Sequence, residues 1–373
     1  MQIQQTNDMR MIREGAAADA AALFRSRCME KRWETLDILK CLCAFGVICI
    51  HEGFPGETGL NLKIFFRFAV PVFFMITGFF YKDLIMAGKQ NKQIWKIIKL
   101  TLGANLFYFL WDLLEEAERG WGRVAARAAG FFTPQKLLNL LVANESPFKS
   151  HLWYLFAILY VLLLAGWLAR KKKLKILIYI SPLLLAGDLI FGKYSLALWH
   201  QEIDYIYVRN YLFVGIPYFA LGYALGCVRE KILARIRIRH MLLLAAAICF
   251  FAEMSIRERR LLKEIGYNAS REHYISTTFL TLCVFLLFLG WQRYYRPVPV
   301  FGFLAAMGKN CSTLIYILHP AVSDVLVFAL PESAGKIFEF YQQAAPLCVF
   351  AATALIAWIC CGVRRVFQKI RME

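Results

Sequence analysis

The sequence predicts an all-α, polytopic integral membrane protein with about ten transmembrane helices, several kinked at proline, around a central polar cavity. Three observations predict it. Of 373 residues, 59% are hydrophobic and only 19% charged. The apolar residues come in long blocks, each near the ~20 residues that cross a bilayer as a helix. Lysine and arginine gather in the short loops between blocks, where they set orientation. That placement accounts for the net charge of +18 without a nucleic-acid partner, the other class such a charge brings to mind.

Residues 1–33 read as a loosely ordered cytoplasmic tail. Its run AAADAAALF is broken by Asp19 and flanked by Glu14 and Arg25, a poor signal peptide, so the first span acts as an uncleaved signal-anchor. The membrane domain covers 34–366, and 367–373 is a second cytoplasmic tail. The apolar blocks run approximately 36–52, 62–81, 94–114, 151–169, 174–190, 209–228, 241–254, 274–291, 311–330 and 345–363. The seventh is short. Pro71, Pro182, Pro217 and Pro320 lie inside blocks and predict kinked or broken helices, tolerable where neighbours or a cavity satisfy the freed carbonyl.

An even number of spans puts both termini on one side. With them fall Lys82, Lys89, Lys92, the Arg170–Lys173 run, 229–239, Arg293, Arg296, Lys309 and the basic C-terminus, whereas 53–61 has no basic residue and 191–208 has only Lys193. Both termini are therefore expected in the cytoplasm. One loop resists. Arg257, Arg259, Arg260, Lys263 and Arg271, interleaved with Glu253, Glu258, Glu264 and Glu272, fall outside. They form either a mixed-charge external segment or a sign that the seventh block is misplaced. The long external segment 115–150 holds a weakly amphipathic piece at 136–142 that suits the interface. Eleven cysteines show no metal or disulfide spacing. Most lie in or beside apolar blocks and read as reduced packing residues. No Gly-rich phosphate loop, zinc spacing, nucleophile elbow or internal repeat is present.

Ionisable groups inside spanning helices are costly and mark candidate function. The first span, LDILKCLCAFGVICIHE, carries Asp37 and Lys40 near one end and His51 and Glu52 at the other. Lys40 and His51 are eleven positions apart, so they share a helix face, offset by about 20° and separated by ~16 Å along the axis. Together they read as one wall of an internal passage. Histidine is well poised to take a proton from a hydroxyl near neutral pH. Glu52 is a candidate orienter, although adjacent residues point about 100° apart, so a carboxylate from another helix suits that task better.

Arg67 sits at a depth similar to His51. It either snorkels to the outer headgroups or stands as a fixed cation beside the chemistry. Thr77-Gly78 permits close helix approach. Lys92, Lys96 and Lys99 recur at i, i+4 and i+7 and serve as membrane anchors or, with Lys40, as a phosphate grip. Asp112 is the acidic residue of the third span placed deepest. His151-Leu-Trp-Tyr opens the fourth span, where Trp153 and Tyr154 fit an aromatic belt. Asp188 ends the fifth, and Arg209-Asn210 opens the sixth. In the ninth, Ser312, Tyr316 and His319 share a face. His319, just before Pro320, is either a satisfied core histidine or a cavity-lining one.

The stretches ETLDILKCLCAFGVICIH, FRFAVPVFFMITGFFY, HLWYLFAILYVL, GIPYFALGYALG and NCSTLIYILHPAV resemble, in order and spacing, the acyltransferase 3 family of bacterial integral-membrane acyltransferases. The second and third look especially like the membrane part of vancomycin-resistance serine racemases. The resemblance implies transfer of an acyl group, usually acetyl, from cytoplasmic acetyl-CoA to a hydroxyl of a surface glycan, peptidoglycan or small molecule. It implies residence in the bacterial inner membrane, where the sequon matches Asn144-Glu-Ser146 and Asn268-Ala-Ser270 carry little weight. The family has an arginine, ten residues and then a catalytic histidine in its first span. That maps catalysis to His51, with Arg67 and Glu52 beside it, and places Lys40 where the family has arginine. Lysine keeps the charge and loses the bidentate fork. Lys40, Lys96 and Lys99 are the expected donor contacts, and His151, Arg209 and His319 the expected acceptor contacts. Metal is not expected. The alternatives are a non-enzymatic carrier of a small polar solute such as serine, and a partner scaffold.

Overall fold

The computed structural model describes residues 32–266 and 273–370. The expectations for 1–31, for the sequon at 268–270, for Arg271 and Glu272 and for 371–373 lie outside these residues. The helical domain begins at Thr35. No strand occurs among the described residues.

Helix α1, Glu34–His51, ends where Gly53, Pro55 and Gly56 deny it further turns. Helix α2, Gly56–Phe65, passes through a 3-10 turn, Phe66–Phe68, into α3, Ala69–Met86. Then come α4, Gln90–Glu118, and two short helices, α5, Val124–Gly130, and α6, Pro134–Ala143. Thr133 caps α6 through its hydroxyl, and Pro134 occupies the first turn, where no amide hydrogen is needed. Helix α6 covers the expected amphipathic piece and leaves Leu137, Leu138, Leu141 and Val142 exposed.

Helix α7, Trp153–Arg170, precedes α8, Ile176–Asp188, which runs into a π-helical turn, Leu189–Lys193, broken at Gly192. After the short α9, Ser195–Trp199, a second π turn, Tyr211–Gly215, leads into α10, Ile216–Arg235. The chain finishes with α11, Ile238–Glu264; α12, Ile275–Trp291; α13, Pro299–Asn310; α14, Ser312–Ala329; and α15, Lys336–Ile370, which is broken at Ala344.

Eight helical segments among the described residues are long and apolar enough to cross a membrane. Two further apolar helices are α1, which carries Glu34, Asp37 and Lys40, and α12, with 17 residues. Pro182 and Pro320 lie inside helices. Pro71 follows the 3-10 turn, and Pro217 follows the second π turn, so each expected proline marks an irregular stretch.

Two expectations change. The seventh block is not short: α11 has 27 residues. Arg257, Arg259, Arg260 and Lys263 belong to its last turns instead of a loop, where Arg257 pairs with Glu253 at 2.9 Å one turn back. The region between the eighth and ninth blocks also holds a helix, α13, which starts at Pro299.

Helices α3 and α10 make the most extensive contact in the domain. A Cβ on Gly78 would lie 1.9 Å from the carbonyl oxygen of Phe219, and one on Gly222 would lie 2.0 Å from that of Met75. Only glycine lets the two backbones approach this closely. Helix α1 is largely buried, with Cys41, Ala44 and Ile48 packed among Met307, Cys311, Ile315 and Val349 of the C-terminal helices. At the periphery, α11 and α15 expose Leu242, Leu243, Phe250, Leu355 and Ile359, as helices facing lipid do. The chain is a multi-pass membrane protein.

Candidate active site

The polar residues singled out in the apolar blocks converge where helices break. His51 is the last residue of α1, Arg67 lies in the 3-10 turn before α3, and His151 lies in the 3-10 turn Ser150–Leu152 before α7. Arg209 stands just ahead of the second π turn. All four line one cavity of about 70 Å3, together with Val47, Ile50, Val70, Trp153, Asp188, Val208, Val214, His273 and Tyr316. Irregular turns leave backbone groups that side chains must satisfy. Asn210 accepts from the amides of Leu212 and Phe213 at 2.9 and 3.1 Å. Asn144 accepts from Tyr211 at 2.7 Å and donates to the Trp153 carbonyl at 3.2 Å. Asn144 is fully buried, so the first sequon match is a structural asparagine.

Three imidazoles cluster at the cavity wall and just behind it. Ring centroids are 5.2 Å apart for His51 and His319, 5.3 Å for His151 and His319, and 6.3 Å for His51 and His151. Helix α14 orients two of them. Pro320 has no amide hydrogen, so the Tyr316 carbonyl lacks its usual helical donor. His319 Nδ1 fills that place at 2.9 Å. The next carbonyl, Ile317, accepts from Tyr108 Oη at 2.6 Å and from His151 Nε2 at 3.3 Å. The Tyr316 hydroxyl donates to the carbonyl of His151. A carbonyl oxygen only accepts, so the hydrogens sit on Nδ1 of His319 and Nε2 of His151. Among the described residues, no group of three or more His, Cys, Asp or Glu is placed to hold a metal ion.

The cavity wall carries charge of both signs. Arg209 lies over the rings of Tyr205 and Trp153, 4.3 and 5.4 Å from their centroids, and 4.0 Å from Glu145. Burial pushes the Glu145 carboxyl up, and Arg209 opposes that shift. Asp188 faces His273 at 3.1 Å. Such a wall can hold a small polar molecule, and an oxyanion forming on it would meet guanidinium groups.

The other expected residues lie elsewhere. Glu52 does not line the cavity. Its carboxyl is hydrogen-bonded by Ser323. The His319 ring stands 5.2 Å from the His51 ring, centre to centre. Lys40 pairs with Asp37 at 2.9 Å, lies 5.9 Å from the centre of the Phe80 ring, and does not line the cavity. Lys92, Lys96 and Lys99 are exposed along the first turns of α4, and Asp112 pairs with Arg127 at 3.1 Å. Two site residues were not singled out in the sequence. Tyr108 reads as one more aromatic in an apolar block, and His273 lies beside a charged stretch. A tyrosine buried in mid-span needs a hydroxyl partner, and that was the available signal for Tyr108.

Apolar spanning helices around a partly open cavity, with imidazole and guanidinium on its wall, define a membrane-embedded enzyme-like site. The family model described as an acyltransferase domain, acyltransferase 3, matches residues 33–365, and the chain belongs to this family. It is also similar to an amino-acid racemase of Enterococcus faecalis, 24% identical over 375 residues, a match that covers 92% of this chain and 49% of that protein. The chain thus spans about half the length of that relative. No solved structure matches it.

Proposed function

We propose that this acyltransferase moves an acyl group, acetyl by the family resemblance, from cytoplasmic acyl-CoA to a hydroxyl of an extracytoplasmic glycan, peptidoglycan or small molecule. It does so in the bacterial inner membrane, with both termini in the cytoplasm. The observation that carries the reading is His51 on the wall of a cavity shared with Arg67, His151 and Arg209.

In this reading Lys40, Lys96 and Lys99 meet the donor's phosphates, Lys40 by exchanging its bond to Asp37. Helix α1 runs unbroken from Lys40 to His51, a rise of ~16 Å that suits an extended pantetheine arm. A lone-pair nitrogen of His51 takes the proton of the acceptor hydroxyl as its oxygen bonds to the thioester carbonyl carbon. Arg67 stabilises the oxyanion. The carbon–sulfur bond then breaks, and the leaving thiolate takes the proton back from His51. His151 and Arg209 contact the acceptor.

The test uses purified protein in liposomes with radiolabelled acetyl-CoA on the side of the termini and serine or a glycan fragment on the other. Label on the opposite-side hydroxyl, lost in His51→Ala by about 100-fold or more, is the expected result. Full activity in His51→Ala would remove His51 from the chemistry. Serine uptake with no acyl donor and no acylated product would favour a carrier.

A further inference from the structure

His51 faces the cavity on one side and His319 on the other. The His319 ring is fully buried and does not line the cavity. Its Nδ1 is committed to the carbonyl that Pro320 leaves open. Its Nε2 therefore carries the lone pair, and that atom is shut off from solvent and has no hydrogen-bond partner. A buried acceptor left open needs an explanation, because such groups are costly. Two rings are near enough to supply a hydrogen. His151, at 5.3 Å, has already given its Nε2 hydrogen to Ile317, so the neutral ring has none left. His51, at 5.2 Å, still has an N–H to offer.

We propose that His319 is the positioning residue for His51, a role that rests on the acyl-transfer reading for its use but not for its existence. His319 Nε2 accepts the N–H of the inner nitrogen of His51 in the empty site as well as in the working one, a small ring rotation bringing the two together. The cavity-facing nitrogen then keeps its lone pair. The proton taken from a substrate hydroxyl lands on that outer nitrogen, and the inner N–H stays on His319, so no proton passes to His319. This is the logic of a base held by a third group, with a histidine as the holder. Catalytic hydrogen bonds are commonly long in the empty site and tighten further in the working complex. Pro320 is part of the device, since the open carbonyl of Tyr316 fixes which nitrogen of His319 is the acceptor.

Two substitutions separate positioning from packing. In His319→Asn the side-chain amide still donates to the Tyr316 carbonyl, but nothing occupies the Nε2 position. In His319→Gln a carbonyl oxygen reaches that position. The readouts are diethyl pyrocarbonate modification of His51, followed by mass spectrometry without donor or acceptor, and kcat and KM for acetyl transfer. The Asn variant is expected to slow both His51 modification and kcat by roughly tenfold or more, with KM within about threefold, while the Gln variant stays within about threefold of the parent. Each variant is judged against the parent separately, so the failure of one to fold leaves the other decisive. His51 modified at the parental rate in the Asn variant, or slowed tenfold in the Gln variant, would overturn the proposal. A parent that transfers no acetyl, but whose His51 modification still falls only in the Asn variant, would remove the acyl-transfer reading and uphold the pair.

Discussion

Tyr316 and His151 are bound to each other across two helices: the tyrosine hydroxyl donates to the histidine carbonyl, and the histidine ring donates to the carbonyl of Ile317, next in the chain after Tyr316. The fourth and ninth apolar blocks are thereby locked in register at the cavity. Tyr316→Phe leaves a buried carbonyl without its donor, a loss of about 1–3 kcal/mol. The expected result is a lower thermal unfolding midpoint in detergent and slower acetyl transfer. An unchanged midpoint would show that the lock contributes nothing.

Pro320→Ala restores an amide hydrogen below the Tyr316 carbonyl. Alanine is a better helix former than proline by about 3 kcal/mol in a helix interior, so the local helix gains. His319 then competes for an acceptor it now holds alone. We expect a variant at least as stable as the parent whose kcat is reduced severalfold, measured by thermal scanning and radiolabelled transfer on the same preparation.

Arg67 is assigned to the charge that develops on the thioester oxygen. An interaction made only in the transition state changes kcat and leaves KM alone. Arg67→Gln should lower kcat by about 100-fold, as removal of an oxyanion donor does. A change confined to the KM of the acceptor would instead move Arg67 to substrate binding.

The sequence was informative where a single residue breaks an apolar pattern. His51, Arg67, His151 and Arg209 stood out because charge and imidazole are costly in spanning helices, and these four share the cavity wall. The Thr77-Gly78 expectation held for the same local reason, a missing side chain at a helix contact. Partnerships were less legible. Nothing in the spacing says that the open carbonyl above Pro320 is used by its own neighbour, or that Tyr108, some 200 residues away in the chain, supplies a hydroxyl one carbonyl later. Lys40 forms another partnership that spacing did not show. Periodicity placed it on the face of His51, but an acidic residue one turn earlier holds it at 2.9 Å. The length of α11 was misjudged because its charges were read as loop, although Glu253 and Arg257 have the spacing of a helical ion pair.

Buried Asn144 bears on how the protein is best produced. A eukaryotic secretory host attaches sugar to Asn-X-Ser while the chain is still being inserted, and the sugar would land on the nitrogen that must later bond Trp153. Deleting the acceptor by Ser146→Ala is no remedy, since that hydroxyl donates to Asn105 at 2.8 Å. Expression in a host without that modification keeps both bonds.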